Sequence, residues 1–118
     1  MTSRRLKYQQ VKPLERQEAV DALSSDDSDL VRDALVRVAY HDRDWRRVQD
    51  QCLRLSHHQS RAVRAVSVTC LGHLARIHGA LDEDKVLPVL RALLEDPETR
   101  GYAQDALDDI DIFLHRKR

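Results

Sequence analysis

The sequence predicts an all-α chain, an α-solenoid of about three stacked helix pairs, and three observations predict it. The first is composition. Leu, Ala and Val abound, aromatics make up 4% of the 118 residues, and Gly and Pro number three each. An all-β chain would need more turn residues and more β-branched and aromatic side chains. The second is an internal repeat. "LVRDALVRVAYHD", "AVRAVSVTCLGHLARIHG" and "ETRGYAQDALDDIDIFL" align on Arg32, Arg64 and Arg100, at spacings of 32 and 36 residues. The third is that each aligned segment follows another run with helix-start signals, as a stack of helix hairpins requires.

Apolar character recurs along the repeat at a period near 3.6 residues. Ala34, Val66 and Tyr102 are equivalent, as are Val38, Cys70 and Ala106, and then Ala39, Leu71 and Leu107. The next matched set is Trp45, Ile77 and Phe113, with Trp45 past the end of its helix; Asp42 and Ser67 break the pattern. The expected helices span 13–24, 28–41, 44–56, 59–78, 83–95 and 98–115. Pro13 suits a first turn, where its missing N–H costs nothing. Asp44 is placed as an N-cap. Asp82, Glu83 and Asp84 put negative charge at the positive end of a helix dipole. Gly79 stops the fourth helix. "SSDDSD", "HHQS" and "DPE" are short enough for hairpin connections.

Several of these stretches carry a family resemblance. "VLPVLRALLEDPETR" with "YAQDAL", and "RAVRAVSVTCLGHLA", resemble HEAT repeats. Pro88 matches the proline inside that family's first helix, and Asp96-Pro97 its turn. Val31-Arg32 and Val63-Arg64 match the opening of its second helix, and Leu71-Gly72 the pair further along. The first unit lacks the proline and the Leu-Gly. The resemblance covers residues 13–115, between a basic N-terminal segment (1–12) and a basic tail (116–118). It implies a fold and leaves function to be argued from surface residues.

On a helical wheel Val63, Val66, Cys70, Leu74 and Ile77 form one broad sector, and Ala62, Ala65 and Ala75 flank it. Arg61, Thr69, Gly72 and Arg76 remain, and are expected on the inner, concave stripe, where solenoids bind partners. The wheel gives columns across the units: Tyr40, Gly72 and Asp108; Arg37, Thr69 and Asp105; Asp33, Ala65 and Gly101; and, at the helix ends, Arg76 with Ile112. Charge is segregated along the chain. Twenty basic and twenty acidic groups cancel overall, yet no carboxylate lies between Asp50 and Asp82, where Arg54, Arg61, Arg64 and Arg76 fall. Asp105, Asp108, Asp109 and Asp111 fall in a stretch with no basic residue. Such opposed potentials steer and orient a charged partner. The expected partner-binding residues are Arg37, Tyr40, Arg76, Asp105 and Asp108, with Asp109 and Asp111 at the rim. Arg64 belongs to the repeat and is read as structural.

Nothing in the sequence marks an enzyme. His41, Asp42 and Asp44 are too close in sequence to converge on a metal, and His57-His58 sits in a turn. His73 and His78 are about 140° apart on a helix and do not share a face. No His-Glu-x-x-His, paired Cys-x-x-Cys or glycine-rich phosphate loop occurs, so no metal, cofactor or catalytic residue is expected. Cys52 and Cys70 sit among apolar neighbours and read as buried, reduced thiols. No apolar run of membrane-spanning length or secretory signal is present, which points to a cytoplasmic protein, monomeric when free.

The function expected is therefore protein binding without catalysis. Its sharper form is a bacterial immunity protein that blocks a toxin domain, since small free-standing HEAT-like proteins recur in that role, partners of contact-dependent toxins included. The aspartates would complement the cationic cleft of a nuclease. The alternatives are a scaffold or adaptor for another complex, and a helical-repeat nucleic-acid binder using the basic ends "RRLK" and "HRKR". Few aromatics are present to stack bases, and the aspartates would repel phosphates, which argues against nucleic acid.

Overall fold

A computed structural model describes residues 11–116. Among these residues the chain is all-helical, with six α-helices and no strand: α1 (Arg16–Leu23), α2 (Ser28–His41), α3 (Trp45–Leu55), α4 (Arg61–His78), α5 (Glu83–Leu93) and α6 (Arg100–Ile110). A single turn of π-helix, Asp111–His115, continues α6 and ends on the Arg116 N–H bonding the Asp111 carbonyl at 3.0 Å. The basic residues at 4–7 and 117–118 lie outside the described residues.

The start and stop chemistry explains most boundaries. Asp27 accepts from the N–H groups of Asp29 and Leu30, Asp44 from that of Arg47, and Ser60 from that of Val63, each capping a helix. Gly79 closes α4 in the left-handed conformation, φ 63°, which a side chain would strain. The first helix differs from its expected range. It opens at Arg16 through a capping box between Glu15 and Glu18, so Pro13 precedes the helix and does not start it. The segment around Pro13 instead runs beside α2, where Arg37 donates to the Lys12 and Pro13 carbonyls at 2.9 and 3.2 Å. A ring nitrogen of His41 meets the Val11 carbonyl at 2.6 Å.

Packing centres on α4, which touches α2, α3 and α6, while α1 lies on α2 and α5 on α6. One continuous apolar core joins all six helices, with Leu35, Leu71, Leu74, Leu90 and Ile110 among its fully buried members. Val38, Cys70 and Ala106 are buried alike, as their shared repeat position requires. Nine of the eighteen residues of α4 are buried, and Gly72 is one of them. It therefore does not belong to the open stripe where the wheel puts it. Tyr102 and Phe113 also differ from their repeat partners, being 46% and 44% exposed. Tyr102 lies on α6 and Phe113 on the π-helical turn, the last two elements among the described residues.

The repeat arginines show what their position does. Arg64 donates to the His58 and Gln59 carbonyls in the preceding turn and pairs with Glu98 at 2.8 Å. Arg100 donates to the Leu94 carbonyl at 2.9 Å, the same six-residue step back. Arg100 satisfies the carbonyl at the C-cap of the preceding helix, which the helix itself leaves free, and Arg64 satisfies two in the turn beyond that helix's C-cap. Arg32 reaches only Asp29 on its own helix, and its buried Nε has no hydrogen-bond partner among the described residues. The first unit thus departs in its contacts as it does in sequence.

Candidate functional site

Three helices, α2, α4 and α6, bring a polar strip together on one side of the core. From α2 comes Tyr40, whose ring meets that of His73 edge-on, with centroids 5.5 Å apart and planes at 65°. From α4 come His73 and Arg76, joined by a 2.9 Å bond between a guanidinium nitrogen and the ring's Nδ1. From α6 comes Asp109, which packs over Gly72: a Cβ there would lie 2.7 Å from its Oδ2 and 3.3 Å from the Ala106 Cα. Only glycine lets α6 bring its backbone and Asp109 so close to α4.

The electrostatics of the strip follow from this crowding. Burial pushes the Asp109 carboxyl above the usual carboxylate range, Arg76 draws it back, and Asp105 and Asp108 push it up again. Burial and the charge of Arg76 both lower the basicity of His73. The strip therefore presents a neutral aromatic pair and one cation on one side. Carboxylates in excess of that cation lie on the other.

Of the residues singled out by sequence, Tyr40, Arg76, Asp105, Asp108 and Asp109 contribute to this arrangement. Asp105 and Asp108 are exposed, and Asp108 accepts from Gln104 on its own helix at 3.0 Å. Arg37 is occupied with Asp33 and the carbonyls of Lys12 and Pro13, so it fastens the N-terminal segment to α2. Asp111 belongs to a separate group in which His115 sits 2.6 Å from Glu83 and 3.4 Å from Asp111, and Arg116 donates to Asp111 at 3.1 Å.

The columns are offset from contact by one residue. Tyr40 meets His73 rather than Gly72, and Gly72 meets Asp109 rather than Asp108. Side chains lean toward a helix's N-terminus, and ridges settle into grooves rather than opposite one another. His73 was missed for this reason. Its signal was its place one residue beyond the Tyr40–Gly72 column, three before Arg76. His78, by contrast, turns its ring nitrogen to the Ala39 carbonyl at 3.1 Å. The two histidines part ways, as their spacing requires. Cys52 and Cys70 are buried, unpaired thiols. Hydrogen bonding to Cys70 and burial raise the Cys52 thiol well above its ordinary value.

Fold and strip together define a small all-helical protein whose surface polar groups gather across three helices. Neither a family model nor a curated protein matches the sequence. Among solved structures it is similar to a chain of the CDI complex from Cupriavidus taiwanensis LMG 19424. Identity is 32%, coverage 86% of this chain and 91% of that one, and the TM-score 0.77. The chain belongs to the same family as that component of the CDI complex. No helix among the described residues is long and apolar enough to cross a membrane.

Proposed function

We propose that this protein is a cytoplasmic immunity protein of a contact-dependent growth inhibition pair, binding a toxin domain and blocking it without catalysis of its own. The observation that carries the reading is the similarity, over nearly the whole of both chains, to a component of a CDI complex. The packing suits a HEAT-like solenoid, because the second helices of successive pairs, α2, α4 and α6, lie side by side. In that reading the Tyr40–His73–Arg76–Asp109 strip is the inner face. With Asp105 and Asp108 beside Asp109, the carboxylates outnumber the one cation, so the face fits a toxin surface that is basic, as the substrate cleft of a nuclease is. Tyr40 and Arg76 are of the types that anchor interfaces, since each buries much area behind a polar end.

The test is genetic and then physical. A toxin domain is sought among the neighbouring genes and expressed with and without this protein, and growth is followed. The pair is then purified by size exclusion. Rescued growth and a stable complex are expected. A toxin that kills equally in its presence and elutes apart from it would overturn the assignment.

A further inference from the structure

His73 links two of the groups assigned above to the partner-binding face, and the chemistry of one contact fixes its protonation state. Its Nδ1 lies 2.9 Å from a guanidinium nitrogen of Arg76. A guanidinium has five N–H donors, no acceptor, and keeps its proton at any pH a protein meets. Nδ1 is therefore the acceptor, its lone pair is free, and the ring proton sits on Nε2. The bond exists only while the imidazole is neutral.

The charged and titratable groups around the ring come from three helices. Tyr40 on α2 stands edge-on to it, and the His41 ring is tilted against that of Tyr40, with centroids 6.5 Å apart. Arg76 is on its own helix. Asp109 on α6 packs over the adjacent Gly72 and feels the charge of Arg76. Three of the other histidines, His41, His78 and His115, bond differently. His41 and His78 meet the carbonyls of Val11 and Ala39, bonds that a second ring proton leaves intact. His58 shares the acceptor role, its Nδ1 taking the Ser60 N–H, but in the turn before α4, at the opposite end of that helix from His73 and Arg76. His115 lies between carboxylates, which protonation strengthens.

We infer that His73 is a positioning residue of the binding face: its neutral Nε2–H tautomer holds Arg76 and Tyr40 in register, and a proton on Nδ1 releases Arg76. Burial and the Arg76 charge both hold the ring neutral at ordinary pH. Acid then does two things at once. It removes the acceptor and sets a cation beside a cation, so Arg76 swings away from His73.

The inference deepens the immunity reading and rests on it for its consequence, but the deciding measurement needs no toxin. Nitrogen-15 NMR of the free protein reads both ring nitrogens of His73 and the Arg76 guanidinium across pH 5 to 8. The expected result is an unprotonated Nδ1 and a protonated Nε2 at pH 7.5. Arg76 signals should change with the same midpoint as the ring. That midpoint should rise in Arg76→Met, which removes both the donor and the charge. A protonated Nδ1 at pH 7.5, or an unmoved midpoint in Arg76→Met, overturns the inference.

In the complex with the toxin domain, His73→Asn places an amide oxygen where Nδ1 accepts. Lacking the ring that meets Tyr40, it should bind at pH 7.5 between the parent and His73→Leu, and keep that affinity at pH 5.5. His73→Leu should bind about tenfold more weakly at pH 7.5. Equal affinity for all three forms at both pH values would remove the positioning role. Absence of any complex would count against the immunity assignment and leave the NMR result to judge His73.

Discussion

Asp109 leaves no room for a side chain at Gly72: a methyl group on the glycine would come within 2.7 Å of the Asp109 Oδ2 and 3.3 Å of the Ala106 Cα. The carboxylate is the end of a side chain and can rotate away. The Ala106 backbone is held by α6 and must shift. In Gly72→Ala the gain in helix propensity, about 1 kcal/mol, is opposed by overpacking that typically costs about 1–3 kcal/mol. A net loss of up to about 2 kcal/mol is expected, read as a lower Tm in thermal unfolding. Repeating the substitution in an Asp109→Ala background should soften the loss, because one of the two collisions is gone. An identical loss in both backgrounds would mean that the carboxylate contact does not matter.

The arginines of the repeat give a second, differential prediction. Arg64 satisfies two carbonyls and pairs with Glu98, whereas Arg32 reaches only an exposed Asp29 and leaves a buried Nε without a partner among the described residues. Charge-assisted bonds of this kind contribute about 1.5–3 kcal/mol, and exposed pairs about 0–1. Arg64→Met should lower unfolding free energy in denaturant by about 2 kcal/mol. Arg32→Met should change it by less than about 1 kcal/mol. Equal losses would show that the arginines act through the packing of their stems alone.

Much of this was legible in the sequence, and the reasons differ by level. The helices and two of their caps were local signals: Asp44 and Gly79 each act within one turn. The buried set was periodic and repeated, so Val38, Cys70 and Ala106 identified one another. Pro13 misled because a proline suits an extended strap as well as a first turn, and only the Glu15–Glu18 box decides. The strip was legible as a region and not as contacts. Tyr40, Arg76 and Asp109 were placed on it, but their link through His73 depends on how α2 and α4 interlock. The occupation of Arg37 by the Lys12 and Pro13 carbonyls is a tertiary contact that no wheel represents.

A third prediction concerns pH and the end of the chain. The hydrogen bond to Glu83 raises the basicity of His115, and the other contacts with Glu83 and Asp111 add to it. The folded state therefore holds that proton more tightly than the unfolded state. The stabilisation is fully present below the ordinary imidazole value of about 6.5 and is lost as pH rises through the folded value. His73, with lowered basicity, has the opposite sign, so its stabilisation is lost as pH falls. The two are separated by Glu83→Gln, which keeps an acceptor and removes the charge. The His115 midpoint, followed by proton NMR, should move down toward its ordinary value, while that of His73 stays. A His115 midpoint that Glu83→Gln does not move would show that Asp111 alone sets it.

The last prediction chooses between faces. Asp105 and Asp108 are exposed on α6, and the one side-chain hydrogen bond of Asp108 among the described residues is accepted from Gln104 on its own helix. Their loss removes no core contact, so Asp105→Ala with Asp108→Ala should leave the circular dichroism and Tm near those of the parent. Glu15 and Glu18 would be a poor control, since together they cap α1. Asp26 and Asp50, both exposed, one in the α1–α2 turn and one on α3, are better matched. Exposed charges at an interface act mainly on association rate, and paired ones on dissociation. Calorimetry and stopped-flow binding with the toxin domain should therefore show the Asp105/Asp108 variant weakened by about tenfold or more. Most of that change should fall in the association rate, with a flatter dependence on salt, because fewer charges remain to be screened. The Asp26/Asp50 variant should bind within about twofold of the parent. If the first variant binds like the parent and the second fails, the outer helices and their turns meet the toxin, and the strip from Tyr40 to Asp109 serves packing alone.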